Sequence, residues 1–384
     1  MPFPPFTEDH ALFRDSVRAF AEREIAPHGE TWDREQSFPR ELFRKAGTHG
    51  FLGVRFEPAY GGSGLDYWYT GILIEELMRG RNVGVVVSLM VQCEIATSII
   101  HAYGSEGLKR DWLVPAIKGG RIAALGITEP GAGSNVGGLR TTARRDGDDY
   151  VINGSKIFIT NGTIADFVTL AVRTGEAGPH GVSVVIVPTD TPGFTVGRKL
   201  RKVMAHSSDT AELFFEDCRV PVRNLVGEEG HGFYNIMKLF QGERLVLSYI
   251  TNSWMREILD ETLQYAGERE VFGSLLAGMA VWRHRFADLM TQLEASRTLT
   301  WYATELMCAG DPQAEVYVSM AKLFAGELFK RLAPECDQAF GGYGCMEEYF
   351  VARATGGISG FAIGAGTSEV MREIIARRGI GKAR

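Results

Sequence analysis

Residues 141–162 read T-T-A-R-R-D-G-D-D-Y-V-I-N-G-S-K-I-F-I-T-N-G, and this stretch sets the middle of the chain apart from its two ends. Asp146-Gly147-Asp148-Asp149 is a strong signal for a hairpin turn, because it lies between two short runs that favour strands. The Asn-Gly pairs at 153–154 and 161–162 predict two further turns, which would frame a short strand over 156–160. The stretch therefore predicts β structure.

Short apolar runs separated by turn residues continue on both sides of this stretch. Seven short strands are predicted, over residues 121–128, 141–145, 150–153, 156–160, 167–173, 182–188 and 212–215. Seven strands in about 100 residues are typical of a small barrel or a sandwich.

Both flanks of the β segment carry apolar residues at helical spacing, which predicts helices. A first helix begins at a cap on Thr7, and a short last one follows Gly366. The others are predicted over residues 40–46, 65–78, 83–103, 109–117, 233–266, 279–309 and 312–340. The three long helices suggest an antiparallel bundle. The chain is thus predicted to be α+β and mostly α, with domains over 1–120, 121–231 and 232–384.

The composition argues against several classes of protein. The 41 Lys and Arg residues against 47 Asp and Glu give a net charge of −6, which disfavours a nucleic-acid binder. Five scattered cysteines without a C-x-x-C pair disfavour a disulfide framework or a zinc site and suit a reducing compartment. The start of the chain lacks the pattern of a signal peptide, so a cytoplasmic location is expected. The longest apolar run, 83–100, contains Gln92 and Glu94, which favours a buried helix over a membrane span.

Glycine is in excess, with 46 of 384 residues, about 12% against an average of roughly 7%. Glycines allow tight turns, and they also let backbone amides approach a ligand. Four glycine-containing stretches are candidates for either role, at residues 127–134, 153–162, 338–344 and 356–367. A helix follows the last stretch, with Thr367 or Ser368 as its cap, so its N-terminus could receive a phosphate or a carbonyl oxygen.

Glu243 differs from the other acidic residues of the bundle helices because apolar residues flank it closely, in L-F-Q-G-E-R-L-V-L over 239–247. A partly buried carboxylate has a raised pKa and can act as a base. Pairing with Arg244, or a position on the surface, explains the same residues without a catalytic role.

Taken together, these stretches resemble the acyl-CoA dehydrogenase family of flavoproteins. The matching segments follow the family's order over nearly the whole chain, at 60–66 (YGGSGLD), 128–135 (TEPGAGSN), 153–162 (NGSKIFITNG), 219–221 (RVP), 227–233 (GEEGHGF), 338–344 (QAFGGYG) and 366–369 (GTSE). The resemblance implies an N-terminal helical domain, a middle β-barrel and a C-terminal four-helix bundle. It also implies FAD between barrel and bundle, oxidation of an acyl-CoA to a trans-2-enoyl-CoA, and a homotetramer (a dimer of dimers) that passes electrons to an electron-transferring flavoprotein.

By position, the resemblance assigns ligand contacts to these motifs. Residues expected to contact FAD are Leu125, Ile127, Thr128, Gly133, Ser134, Phe158, Ile159, Thr160, Arg269, Phe272, Gln338, Gly341, Gly342, Thr367 and Glu369. Of these, Arg269, Phe272, Gln338, Gly341 and Gly342 would reach the cofactor of another subunit. Residues expected at the acyl-CoA site are Ser134, Gln241, Arg244 and Gly366.

The catalytic base is where this chain departs from most of the family. The usual base is the Glu of I-Y-E-G-T-S-E, but residues 363–369 read I-G-A-G-T-S-E, so Ala365 stands in its place. The isovaleryl-CoA and long-chain enzymes resemble this chain in carrying the base within an E-R-L motif, here Glu243-Arg244-Leu245. The resemblance therefore implies that Glu243 removes the α-proton, while the backbone N–H of Ala365 polarises the thioester carbonyl. A branched or medium-to-long acyl chain is the expected substrate.

Two further departures and two alternatives accompany this prediction. Gly356 and Gly357 stand where the family usually has an Arg-Asp pair, and Ala280 replaces a usual Gln. A flavin-dependent oxidase or monooxygenase on the same fold is the alternative activity. A catalytically silent FAD- or acyl-CoA-binding protein is the other.

Overall fold

The N-terminal part of the protein is helical, as the sequence predicts. The computed structural model describes residues 3–380. The helices of this part are α1 (Glu8–Glu24), α2 (Gly29–Glu35), α3 (Glu41–Thr48), α4 (Tyr67–Leu77), α5 (Val83–Met90), α6 (Ser98–Tyr103), α7 (Glu106–Leu108) and α8 (Val114–Ile117). Helix α2 is absent from the prediction; only two of its seven residues, Gly29 and Trp32, are buried, so its apolar pattern is weak.

Helices α5 and α6 form one apolar rod, joined by the π-helical segment Val91–Ala96. The most apolar 18-residue window of Val83–Tyr103 has a mean hydropathy of 1.9, enough by length and composition to cross a membrane, but 83% of this window is buried inside the protein. A core helix passes the same test, and the burial agrees with the buried helix that the sequence predicts.

The middle of the chain forms a seven-stranded curled sheet. Its strands are β1 (Ala123–Gly126), β2 (Thr142–Asp146), β3 (Asp149–Thr160), β4 (Phe167–Arg173), β5 (Val182–Pro188), β6 (Phe194–Lys199) and β7 (Thr210–Pro221). The order is β1-β4-β2-β3-β7-β6, and β5 pairs with β4. The predicted hairpin at 146–149 is present, because Asp146 pairs with Asp149 and Gly147 takes a φ of 62°.

Two strand predictions are wrong. The strands predicted over 150–153 and 156–160 are the single strand β3, because Asn153-Gly154 forms a bulge rather than a turn. Gly154 has a φ of 147°, and a Cβ there would lie 2.6 Å from the Thr141 hydroxyl oxygen. Strand β6 is not predicted from the sequence. It lies at the edge of the sheet and buries only Phe194, so it carries no apolar run.

The C-terminal part is a helical bundle. Its helices are α9 (Gly232–Glu268), α10 (Ala280–Ala309), α11 (Ala314–Phe340), α12 (Phe350–Ala354), α13 (Gly360–Ile363) and α14 (Ser368–Ile375). Strands β8 (Glu270–Val271) and β9 (Ser274–Leu275) form a small hairpin between α9 and α10. Thr367, and not Ser368, caps α14, accepting a 3.3 Å hydrogen bond from the N–H of Val370.

The bundle and the N-terminal helices share one hydrophobic core. Trp68 of α4 stacks on Trp301 of α10 with the ring centroids 5.5 Å apart, and Tyr249 of α9 meets Trp301 edge-on at 4.7 Å. The sheet encloses a separate core centred on residues such as Tyr150, Leu170 and Val185. The other face of the sheet packs with the N-terminal helices and the start of α9 in a further core, which contains Leu113, Phe167 and Ile236. The three parts of the chain therefore stabilise one another.

Candidate active site

A small apolar cavity lies where the α5–α6 rod, the end of β1 and helix α9 meet. It is lined by Glu94, Ile95, Ile99, Leu125, Ile127, Ile236, Leu239, Phe240 and Glu243. Seven of these side chains are aliphatic or aromatic, and the other two are carboxylates. An apolar pocket with few polar groups is the usual form of a site for a small organic ligand.

Glu243 enters this cavity from α9. Its side chain is half-buried, and its Oε2 atom is buried without a hydrogen-bond partner in the part of the chain that the structure describes. Burial raises the pKa of Glu243 to about 7, although the positive charges of Arg244 and Lys322 act in the opposite direction. Arg244 beside it is 5% exposed, and its Nε atom is likewise buried without a partner among residues 3–380. Pairing of Glu243 Oε2 with Arg244 is therefore not observed.

The second carboxylate of the cavity, Glu94, is neutralised. Arg55 donates to it from Nε at 2.8 Å and approaches it with Nη2 at 2.7 Å, and the Thr70 hydroxyl donates at 3.1 Å. The Arg55 guanidinium also lies over the ring of Tyr67, 3.9 Å from its centroid. In the sequence, Glu94 is only an interruption of an apolar run and is not predicted as a site residue. A single carboxylate within such a run nevertheless indicates a buried, paired acid.

The TEPGAGS loop lies directly against strand β3. The N–H of Ile157 donates to the Thr128 carbonyl at 2.9 Å. Lys156 is buried and donates to the Ile127 carbonyl at 3.1 Å and to Glu129 at 2.7 Å. Two glycine-containing stretches that are distant in sequence thus form one surface. Neither Glu129 nor Lys156 was predicted as a site residue, because the burial of an ion pair is not visible in the sequence.

The exposed side of this surface has unusual backbone. Gly133 and Ser134 are exposed, and a Cβ at Gly133 would meet no atom within 4 Å. Phe158 is 63% exposed with a φ of 62°, a strained conformation for an aromatic residue. Ile159 is 2% exposed and packs into the core of the sheet, so only its backbone is available to a ligand at this surface. Thr160 is half-buried at the end of the strand.

The segment before α14 lies close to Arg244, which follows Glu243 on α9. A Cβ on Gly366 would lie 3.9 Å from Arg244 Nε, and one on Gly364 would lie 3.6 Å from Leu247. Ala365 between them has a φ of 53°, in the left-handed region that alanine rarely adopts. Gln241 is half-buried on α9, and Glu369 is exposed in the first turn of α14.

A second group of predicted residues lies at the other end of the bundle. Phe272 is 99% exposed at the tip of the β8–β9 hairpin, whose turn has φ values of 52° at Phe272 and 76° at Gly273. Val271 of this hairpin packs in a small cluster with Ala339 near the end of α11. Other predicted residues exposed at this end are Arg269, Gln338, Gly341 and Gly342. None of these five residues lines the cavity.

The glycines that replace the family's Arg-Asp pair lie under the loop before β7. A Cβ on Gly356 would lie 2.4 Å from the Val203 carbonyl oxygen, and one on Gly357 would lie 2.9 Å from Met204 Cβ. A Cβ on Gly360 would meet Met204 Sδ at 2.1 Å. The space that larger side chains would need is thus filled by Val203 and Met204.

Comparison with known proteins identifies the family. Three family models match the chain: the acyl-CoA dehydrogenase N-terminal domain over 7–120, the middle domain over 124–218 and the C-terminal domain over 230–380. The mitochondrial long-chain specific acyl-CoA dehydrogenase of Sus scrofa is 38% identical over 375 residues, 97% of this chain and 86% of that protein. The chain therefore belongs to the acyl-CoA dehydrogenase family of oxidoreductases.

Solved structures support the same conclusion for the fold. A chain described in work on the electron transferring flavoprotein of Acidaminococcus fermentans matches with a TM-score of 0.94 at 36% identity, over 98% of this chain and 99% of that one. A glutaryl-CoA dehydrogenase from Mycobacterium smegmatis in complex with FADH2 matches with a TM-score of 0.92 at 30% identity, over 99% and 96%. The predicted three-part fold and the family resemblance are both confirmed.

Proposed function

We propose that the protein is an FAD-dependent acyl-CoA dehydrogenase in which Glu243 removes the α-proton of the acyl group. The observation that carries this proposal is that Glu243 Oε2 is buried without a hydrogen-bond partner among residues 3–380, in a cavity lined otherwise by apolar side chains and the paired Glu94. A carboxylate that serves stability would be paired, as Glu94 is with Arg55. A base that must meet a substrate proton is left free, at a cost in stability.

The proton transfer makes two demands on the protein. The α-hydrogen of a thioester is a very weak acid, so the base needs a raised pKa, and burial raises that of Glu243 to about 7. Negative charge then develops on the thioester carbonyl oxygen, which requires a donor placed there in advance. The backbone N–H of Ala365 is proposed for this role, since a backbone donor does not depend on the side chain that the family usually has at this position. Arg244, Gln241, Ser134 and Gly366 would border the thioester.

FAD fits the surface formed by the TEPGAGS loop and strand β3. The exposed ring of Phe158 offers an aromatic face to a flat ring system, and the open backbone around Gly133 can approach phosphates or ring carbonyls. FAD, when bound, accepts the β-hydride. Residues proposed to hold it here are Leu125, Ile127, Thr128, Gly133, Ser134, Phe158, Ile159, Thr160, Thr367 and Glu369.

The residues at the far end of the bundle suit contact with a second copy of the chain. Phe272 is almost fully exposed on a short hairpin, which is an unfavourable position for an aromatic side chain in a monomer. We propose that Arg269, Phe272, Gln338, Gly341 and Gly342 complete the FAD site of a neighbouring subunit in a dimer of dimers. Transfer of electrons to an electron-transferring flavoprotein, a cytoplasmic location and a branched or medium-to-long acyl chain are parts of the same proposal.

An anaerobic titration tests the function. Wild-type protein loaded with FAD is mixed with straight and branched acyl-CoAs of varied length, and loss of the yellow flavin absorbance is followed. Glu243→Gln should keep FAD and lose bleaching, whereas Glu268→Gln, an exposed carboxylate on the same helix, should bleach normally. Because the base must be deprotonated, bleaching by wild type should accelerate as pH rises through about 7.

Two results would contradict this assignment. Near-normal bleaching of Glu243→Gln would show that another group removes the proton. Rapid oxygen consumption with release of peroxide would instead favour an oxidase.

A further inference from the structure

Lys322 is a buried lysine on α11 that reaches the segment before α14. It is 2% exposed. Its Nζ atom donates to the carbonyl oxygen of Ala362 at 3.2 Å and to the carbonyl oxygen of Gly366. These two carbonyls flank the three residues 363–365, so one ammonium group holds both ends of the segment that contains Ala365.

Burial of this lysine is unfavourable in isolation. Desolvation lowers the pKa of Lys322 to about 8, and the neighbouring charges of Arg244 and Lys330 act in the same direction. Among residues 3–380, Lys322 donates to two carbonyl oxygens and to no carboxylate. An apolar side chain would fill the same space without the desolvation cost, so the ammonium group must serve the loop or the charges beside it.

The segment that Lys322 holds needs an external restraint. Ala365 has a φ of 53° and Gly366 a φ of 100°, and neither value belongs to regular structure. Residues kept in such conformations persist only where their surroundings hold them. Glycines at 364 and 366 give the segment freedom to relax if the restraint is lost.

The positive charge of Lys322 also affects Glu243, the unpaired carboxylate of the cavity. The charged groups around Glu243 are Arg244 on its own helix, Lys322 on α11, and Glu94 across the cavity with Arg55 behind it. Glu94 and Arg55 largely cancel each other, because they form a buried ion pair. Lys322 bonds to the Gly366 carbonyl, and a Cβ on Gly366 would lie 3.9 Å from Nε of Arg244, the residue next to Glu243. Lys322 thus brings a positive charge to the surroundings of Glu243 from another helix.

We propose that Lys322 is a positioning residue, which clamps the 362–366 segment so that the Ala365 N–H points to the thioester oxygen, and whose charge favours the ionised form of Glu243. The proposal rests on the function proposed above. It assigns two separable effects to one side chain, the hydrogen-bonded clamp and the positive charge.

Three variants separate these effects. Lys322→Met removes both the clamp and the charge, Lys322→Gln keeps N–H donors but removes the charge, and Lys322→Arg keeps both. Lys330→Met is the matched control, since Lys330 lies on the same helix, is half-exposed and pairs with Glu327 at the surface. FAD content and thermal unfolding are measured for each variant so that a folding defect is recognised.

Lys322→Met should lower kcat about 10- to 100-fold with a much smaller change in KM, because the carbonyl donor is displaced. The acidic limb of its pH profile should move to higher pH, since loss of a nearby positive charge raises the pKa of Glu243. Lys322→Gln should show the same shift of the acidic limb with a smaller loss of kcat. Lys322→Arg should keep the acidic limb at the wild-type pH.

Hydrogen exchange gives a readout that does not depend on turnover. In the FAD-loaded protein without substrate, amides 363–367 should exchange at least several-fold faster in Lys322→Met than in wild type or Lys330→Met. Unchanged exchange would refute the clamp, and an unchanged acidic limb would refute the charge effect. If none of the acyl-CoAs bleaches the flavin of the wild-type protein, the proposed function fails, and hydrogen exchange still tests the clamp. If Lys322→Met is bleached at the wild-type rate, only the inference about Lys322 fails. If Lys322→Met does not fold, Lys322→Gln carries the test.

Discussion

Replacing Glu243 by Gln should make the protein more stable at neutral pH while it abolishes activity. In the folded protein the pKa of Glu243 is about 7, and its ordinary value is 4.5. Between these two values the unfolded chain has lost the proton and the folded chain keeps it. The free energy of unfolding therefore falls as pH rises through this window. Below pH 4.5 the carboxyl is protonated in both states and this cost is absent; above about 7 it is fully present.

The size of the effect follows from the two pKa values. A difference of one pKa unit corresponds to about 1.4 kcal/mol, so a rise from 4.5 to about 7 is worth about 3 kcal/mol above neutral pH. Integration over the window gives about 2 kcal/mol at pH 6 and less than about 1 kcal/mol at pH 5. Glutamine mimics the protonated acid and has no ionised form, so the variant avoids this cost at every pH.

The assay is equilibrium denaturation of wild type, Glu243→Gln and the control Glu268→Gln between pH 5 and pH 8, at one saturating concentration of FAD. The stability gain of Glu243→Gln should grow with pH, and the control should follow wild type. A gain that is independent of pH, or a variant less stable than wild type at pH 8, would refute the assignment of Glu243 as a buried, unpaired carboxylate.

Two further predictions concern the polar groups around the cavity and the flavin surface. Arg55→Met should destabilise the protein by about 3–5 kcal/mol in denaturant titrations, because it leaves Glu94 buried and unpaired; adding Glu94→Gln should restore part of the loss, and no recovery would contradict the pairing. Phe158→Ala should change the stability of the FAD-free protein by less than about 0.5 kcal/mol, because the ring is exposed. The same variant should weaken FAD binding about 3- to 10-fold, whereas Phe214→Ala, at another exposed ring, should bind FAD normally.

The parts of the fold that sequence predicted well are those where local pattern and tertiary environment agree. Strands β4 and β5 were predicted with their observed bounds, since both are continuous buried runs between turns. Asn153-Gly154 misled the prediction because the pair that is typical of a turn also suits a bulge. The pairing of β3 with β7 on both sides of Gly154 keeps the strand continuous, and the local sequence does not show this pairing.

The site shows the same division. The apolar residues around Glu243 and the presence of Ala365 at the usual base position are both visible in the sequence. Together they predict that the catalytic base lies on α9. Lys322 was not predicted, although it interrupts an apolar helical run as Glu94 does. What such a charge contacts depends on which segments fold against it, and the hydrogen bonds of Lys322 join residues about 40 positions apart. The sequence can show that a charged residue interrupts an apolar run, but it does not show which group that residue contacts in the folded protein.

The shared core of the two helical parts also constrains how the chain acquires its structure. Trp68 and Trp301 stack although more than 200 positions separate them. The N-terminal helices therefore complete their core only after α9 and α10 are available, late in synthesis of the chain. Until then the apolar Val83–Tyr103 rod lacks part of its cover. The sheet encloses one core of its own, but its other face, with Phe167 and Val184, packs against the N-terminal helices and Ile236 of α9. A chain interrupted before α10 should thus leave apolar helix faces without their cover, and it should be prone to aggregation.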